Sequence, residues 1–233
     1  MMLDDLAVLF SVVPDTGRRA DYAGAIIDQD CLTKTTASTR RLANQRLGEL
    51  YALDPSTPIF RVLRRLWAVD VAGRPLLALL AAMARDPLLA ASAPAILELG
   101  AGDSLNRDRL THAVRHVAGD RLNAATLDKV VRNVASTWEQ SGHLEGRTFK
   151  KRRIVEPTAA SFTFALFLAY SAGFRGSELL TSPWVAVLDT SPAKALALAQ
   201  EAKRIGLIDF RMAGDVTAIG LERLDPSLRD SRR

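Results

Sequence analysis

The chain has 233 residues, 48% hydrophobic and 24% charged, a composition that supports a packed core and excludes a disordered chain. Its single cysteine, Cys31, excludes an intramolecular disulfide framework and a multi-thiolate zinc site. Thirty-one Lys and Arg against 26 Asp and Glu leave a net charge of +5 with pI ≈ 9.7, so a polyanionic partner is the first to weigh.

The start, Met1-Met2-Leu3-Asp4-Asp5, lacks the basic region and continuous apolar run of a secretory signal, and a cytoplasmic protein is expected. Asp4–Val13 reads as a short apolar helix stopped by Pro14, and Arg18–Asp30 as a helix with Tyr22, Ile26 and Ile27 on its apolar side. Ser38–Leu53 repeats apolar residues at Ala43, Leu47, Leu50 and Tyr51 and is ended by Asp54-Pro55. Phe60–Val69 is helical with Trp67 as a large core side chain. Beyond the break at Gly73-Arg74-Pro75, two packed helices are expected over Pro75–Arg85 and Leu88–Leu99. Gly100–Asp103 is the best candidate boundary, because two glycines there precede a change to basic, polar sequence.

Asn106–Val117 places Leu110, Ala113, Val114 and Val117 on one face. After a turn, Asn123 is a candidate N-cap for a long helix to about Ser141, with Gly142 beyond it. His143–Val155 reads as a β-hairpin turning at Gly146-Arg147. Thr158–Phe174 is uncharged for 17 residues, the short end of the membrane-spanning range. A buried core helix is the expected reading, with a membrane-associated segment as the minority alternative. Leu76–Leu99 is apolar too but is broken by Arg85, Asp86, Pro87 and Pro94. Pro192–Ile205 is a last amphipathic helix, Leu207–Met212 and Val216–Leu221 flank a turn at Ala213-Gly214-Asp215, and Asp225–Arg233 is expected to fray. Leu127–Val155 and Ala193–Leu221 share a layout, a helix followed by a Gly-containing hairpin. The expected fold is mainly α: an N-terminal helical bundle (1–103), a basic winged helix-turn-helix-like domain with short β-hairpins (104–225) and a polar tail (226–233).

The charge is concentrated. Ser104–Val155 holds eleven Lys and Arg against five acidic residues, a net of +6, so the remainder of the chain nets −1. The apolar face of the 123–141 helix is Leu127, Val130, Val131, Val134 and Trp138, which leaves Lys129, Arg132, Asn133, Ser136 and Gln140 opposite. Arg pairs with guanine edges or phosphate, Asn and Gln with adenine edges, and Ser with phosphate, the chemistry of a helix in the major groove. The hairpin adds Arg147, Lys150, Lys151, Arg152 and Arg153, cations suited to flanking phosphates. An amphipathic helix has a polar face in any case, and the Val117–Asn123 turn is longer than a helix-turn-helix usually has. A second candidate is the 38–53 helix, whose polar face carries Arg40, Arg41, Asn44 and Gln45.

Signatures of catalysis are missing. His112 and His116 stand four apart, a zinc-compatible spacing, but no third ligand accompanies them and no metal or other cofactor is expected. No phosphate-binding Gly-Lys-Ser/Thr loop and no Gly-x-Ser-x-Gly elbow occurs, and Cys31 lies between Asp30 and Leu32, surroundings that do not activate a thiol. A non-enzymatic protein is expected. RNA remains an alternative partner, although with three Trp and three Tyr no exposed aromatic platform is apparent.

Four stretches, Asp30–Arg40 (DCLTKTTASTR), Leu50–Asp54 (LYALD), Arg85–Leu89 (RDPLL) and Ser136–Arg147 (STWEQSGHLEGR), resemble the BrxA-like proteins of bacterial BREX phage-defence systems. The likeness spans about Ala20 to Leu221. It implies a small, mostly helical, non-enzymatic protein, partly winged-helix-like and partly similar to NusB-type bundles, that binds duplex DNA beside other defence-system proteins. An adaptor of the defence complex and a locus-specific transcriptional regulator are the alternatives.

Overall fold

The computed structural model describes residues 1–214 and 216–228. Among them the chain is mainly helical with two small antiparallel hairpins. The N-terminal half runs α1 (Leu3–Val12), α2 (Arg19–Ile27), α3 (Ala37–Tyr51), α4 (Pro58–Val69), α5 (Arg74–Met83), α6 (Pro87–Ala91) and α7 (Ala93–Leu97). Its boundaries follow local chemistry. Thr36 and Thr39 form a reciprocal cap on α3, Asp86 accepts from Leu88 N and Leu89 N to start α6, and α4, α5 and α6 carry Pro in the first turn. The single helix expected over Leu88–Leu99 is two short ones, interrupted beside Pro94. Phe10 is the hub of the first half, meeting Tyr22, Phe60 and Trp67 edge-on with centroids 5.3–6.2 Å away.

The second half runs α8 (Arg107–Ala118), α9 (Ala124–Gln140), β1 (Leu144–Glu145), β2 (Lys151–Arg152), α10 (Ala159–Ser171), α11 (Pro183–Ala186), α12 (Pro192–Arg204), β3 (Asp209–Ala213) and β4 (Val216–Gly220). A short 3₁₀ turn, Gly119–Arg121, fills the long connection between α8 and α9, and another, Gly176–Thr181, precedes α11. Asn106 caps α8 and the expected Asn123 caps α9. The shared helix–hairpin layout is present as α9 with β1–β2 and α12 with β3–β4. Asp215, expected in the second turn, lies outside the described residues.

α10 is the central element. It is buried from Ala160 to Ala169 and packs on α4, α5, α11 and α12, which accounts for a stretch that is apolar all round. No single helix among the described residues is long and apolar enough to cross a membrane, and α5 bends by 102° into the helices that follow it. One buried cluster extends from Met1 to Leu224, so the core continues across the boundary expected at 103. The tail differs from expectation at its start. Asp225 is buried, and its Oδ2 accepts from Arg61 Nε (2.9 Å), which pins this segment to α4; 229–233 lie outside the described residues.

Candidate nucleic-acid interface

The Gly100–Asp103 segment pairs with the hairpin and is no linker. Gly102 N donates to Arg152 O (2.9 Å), Arg152 N to Asp103 O (2.9 Å) and Leu105 N to Lys150 O (2.8 Å), with a β-bridge between Ser104 and Lys151. On its other side β2 pairs with β1, Leu144 facing Arg152 and Glu145 facing Lys151. The order is therefore an extended segment, α8, α9 and a hairpin, with the extended segment hydrogen-bonded to the second hairpin strand.

α9 presents its faces largely as its spacing requires. Leu127, Val131, Val134 and Trp138 are buried, Val130 is half-buried, and Lys129, Arg132 and Asn133 are exposed. Its C-terminal half is covered. The Met1 nitrogen donates to Thr137 Oγ1 (2.8 Å), Leu3 N donates to Gln140 Oε1 (3.1 Å), and Gln140 Nε2 donates to Ser136 Oγ (3.1 Å). Ser136, expected to touch DNA, is thus half-buried and held by Gln140, leaving only the N-terminal half of the polar face open.

The hairpin cations divide by strand alternation. Arg152 is only 2% exposed: its guanidinium pairs with Asp189 and donates through Nε to Ile96 O (3.1 Å). Its expected phosphate contact is overturned, because the charge is enclosed and already partnered. Lys150, two residues away on the same side, pairs with Glu139 and keeps 17% of its side chain exposed, so it is largely committed inside the chain as well. Lys151 and Arg153 point outward, and Arg153 reaches Glu145 at 3.5 Å. Consecutive strand residues face opposite ways, so the run Lys150–Arg153 itself carried the signal that alternate cations turn inward.

Among the described residues, six of the eleven cations of 104–155 are ion-paired: Arg107 and Arg132 share Asp128, Arg109 pairs with Glu98, and Lys150, Arg152 and Arg153 pair as described. Arg121 donates to the last carbonyls of α8, Ala118 O (2.9 Å) and Val117 O (2.7 Å). Arg115, Lys129, Arg147 and Lys151 are exposed and have no ion pair or side-chain hydrogen bond among the described residues. The exposed pairs at Asp128 and Glu145 are weak and salt-screened, so phosphate competes readily for Arg107, Arg132 and Arg153; the buried Arg152 pair is not exchangeable.

Arg40, Arg41 and Asn44 lie on α3, which packs on α2 and α5. Arg41 is exposed, Asn44 and Arg40 are half-buried, and Arg40 Nε is buried without a partner. Among the described residues no hydrogen bond or ion pair joins these three to the α8–α9 unit.

The hairpin base is set by residues that sequence reasoning passed over. Val187 and Asp189 follow α11, a four-residue helix too short for a periodic signal. Asp189 accepts from Val155 N (2.9 Å) as well as pairing with Arg152. His143 is fully buried, edge-on to Trp138 at 4.9 Å, with Nε2 2.7 Å from Val187 O and Nδ1 2.8 Å from Ser141 Oγ. Burial lowers its pKa to about 4, against the opposing pull of Val187 O and Asp189, so Nε2–H donates to Val187 O, and the single Ser141 Oγ–H has Nδ1 and Trp138 O (3.0 Å) as its acceptors. Phe149 was also missed: at 81% exposed it is a bare ring at the hairpin tip, where no aromatic surface was expected.

Elsewhere, His112 and His116 are exposed on α8, and no group of three or more His, Cys, Asp or Glu side chains among the described residues could hold a metal ion. Burial, reinforced by Asp30, raises the pKa of the Cys31 thiol, the opposite of nucleophile activation. No protein-family model matches the chain, and no curated protein or solved structure matches it either.

Proposed function

We propose that this chain is a non-enzymatic duplex-DNA-binding protein, reading the major groove with the N-terminal half of α9 and gripping adjacent phosphates with the β1–β2 hairpin. One observation carries the reading. An extended segment, α8, α9 and a hairpin follow one another, with the segment at 102–105 bonded to the second hairpin strand, which is the element order of a winged helix-turn-helix. In helix-turn-helix proteins the second helix meets base edges, and the exposed polar side chains of α9 between Ala124 and Asn133 include Lys129, Arg132 and Asn133. The contact set is thereby narrowed to these three with Arg115, Arg147, Lys151 and Arg153. The resemblance of four stretches to BrxA-like proteins supports a role in a cytoplasmic phage-defence system, with other defence proteins as partners. Neighbouring methyltransferase, phosphatase-like and AAA+ ATPase genes are the corresponding genetic expectation.

The test is DNA affinity over a salt series for the wild-type chain and for Lys129→Ala/Arg147→Ala/Lys151→Ala. Loss of three interfacial cations, Lys129 from the groove-facing helix and Arg147 and Lys151 from the hairpin, flattens the log K against log salt slope by about 2–3 units. An unchanged slope refutes the interface. No DNA binding at low salt, together with partner capture that survives nuclease and high salt, establishes the adaptor reading instead.

A further inference from the structure

The tip of the β1–β2 hairpin is built to present one aromatic ring. Gly146 has φ +101°, and a Cβ placed on it would lie 2.3 Å from the Phe149 carbonyl oxygen, so the loop closes tightly only with glycine there. Lys150 braces the same turn, its Nζ bonded to Gly146 O (3.2 Å) and paired with Glu139. On this braced loop the Phe149 ring stands 81% exposed, among Gly146, Arg147 and Thr148, with Arg147 and Lys151 exposed on either side. A ring that could gain by burial instead stands in solvent, with an exposed cation two residues before it and another two residues after it.

We propose that Phe149 is an intercalating wedge: it enters the minor groove of duplex DNA and inserts between adjacent base pairs, while Arg147 and Lys151 hold the flanking phosphates. The inference rests on the DNA-binding reading and deepens it, by adding a base-unstacking contact that α9 and the phosphate contacts do not need. Charge complementarity decides the occupant. In the sequence the ring lies between Arg147 and Lys151, both exposed, on a hairpin that directly follows α9, whose Lys129, Arg132 and Asn133 are exposed as well. A lipid surface is a poorer match, because the loop offers a single apolar side chain beside Arg147 and Thr148. Apolar side chains inserted at a base step unstack it and kink the duplex, so the ring acts on DNA shape and leaves the charge count alone.

The experiment uses the full chain, as wild type, Phe149→Ala, Phe149→Leu and Arg147→Ala/Lys151→Ala, with duplexes carrying 2-aminopurine and an end-to-end energy-transfer pair. Wild type is expected to raise 2-aminopurine fluorescence and shorten the end-to-end distance. Phe149→Ala binds about tenfold more weakly, the scale of one lost aromatic–base contact, and loses both signals with an unchanged salt slope. Phe149→Leu keeps most of both signals, whereas the double cation variant flattens the slope and retains the fluorescence rise. Circular dichroism melts identical to wild type show that the alanine variant is folded. If wild type binds duplex DNA and Phe149→Ala matches it in affinity, fluorescence and bend, the wedge is overturned and the DNA reading stands. If wild type does not bind DNA at low salt, the DNA reading falls and the wedge with it. A ring dependence confined to single-stranded DNA, or to phosphatidylglycerol vesicles, overturns the wedge in favour of a stacking platform or a membrane contact.

Discussion

Arg152 and Asp189 form an enclosed ion pair that fastens the base of the β1–β2 hairpin to the segment following α11, with side chains 1% and 10% exposed. The arginine also donates to Ile96 O, and the aspartate also accepts from Val155 N, so each charge is held by more than its partner. Removing one member leaves the other buried and uncompensated. Arg152→Ala is expected to lower the unfolding free energy by about 3–5 kcal/mol in urea melts. Wherever the variant is folded, the proposed DNA binding is expected to keep its salt slope. A stable variant with a flatter slope would return Arg152 to the phosphate-contacting set.

His143 makes stability depend on pH. Its pKa is lowered from 6.5 to about 4 in the folded chain, chiefly by burial, so the unfolded chain binds its proton first on acidification. The stabilisation is fully present above pH 6.5, declines as pH falls from there to about 4, and amounts to about 3 kcal/mol over that window. Gln at this position retains a donor for Val187 O without titrating. The difference in unfolding free energy between wild type and His143→Gln is therefore expected to shift against wild type between pH 7 and 4. A difference that stays constant would mean that the imidazole titrates in the folded chain as it does in the unfolded one.

Much of this was legible in the sequence, for identifiable reasons. α9 declared its buried face through Leu127, Val131, Val134 and Trp138 and its start through Asn123, both local signals. α10 was legible because an uncharged helix without a polar side has to be enclosed. What escaped was non-local. Nothing near Gly102 announces that its backbone will bond to Arg152, and nothing near Lys150 announces Glu139. The +6 count was accurate as arithmetic, but charge counts do not record which carboxylates fold against which cations. Glu98 and Asp189, both outside the basic segment, neutralise Arg109 and Arg152 within it.

That division separates the cations experimentally. Lys129, Arg147 and Lys151 are exposed and without ion pairs among the described residues, so each alanine substitution is expected to reduce the salt slope by about 0.9. Lys150→Ala and Ser136→Ala, whose side chains are engaged with Glu139 and Gln140, are expected to leave the slope unchanged. Affinity titrations at four or more salt concentrations resolve a change of one unit. Equal effects from Lys150 and Lys151 would mean that strand alternation does not sort these side chains.

The anchor at Asp225 gives a separate test of the fold. One carboxylate oxygen accepts from Arg61 Nε (2.9 Å) and lies 2.7 Å from Arg61 Nη2, the other accepts from Ser227 N (3.0 Å), and Arg61 Nη1 donates to Pro55 O (2.7 Å) and Ser56 O (2.9 Å). A single arginine thus ties the turn before α4 to the segment after β4. Burial pushes the Asp225 carboxyl upward, but Ser227 and Arg61 outweigh it and hold its pKa below the ordinary carboxylate value. Its contribution is therefore present above the unfolded carboxylate pKa and is lost as pH falls through the lower folded value. Asp225→Asn is expected to cost about 1.5–3 kcal/mol at pH 7, the scale of hydrogen bonds to a charged group. The variant and wild type should converge in urea melts once the carboxyl is protonated. Equal stability at neutral pH would show that this segment does not brace α4.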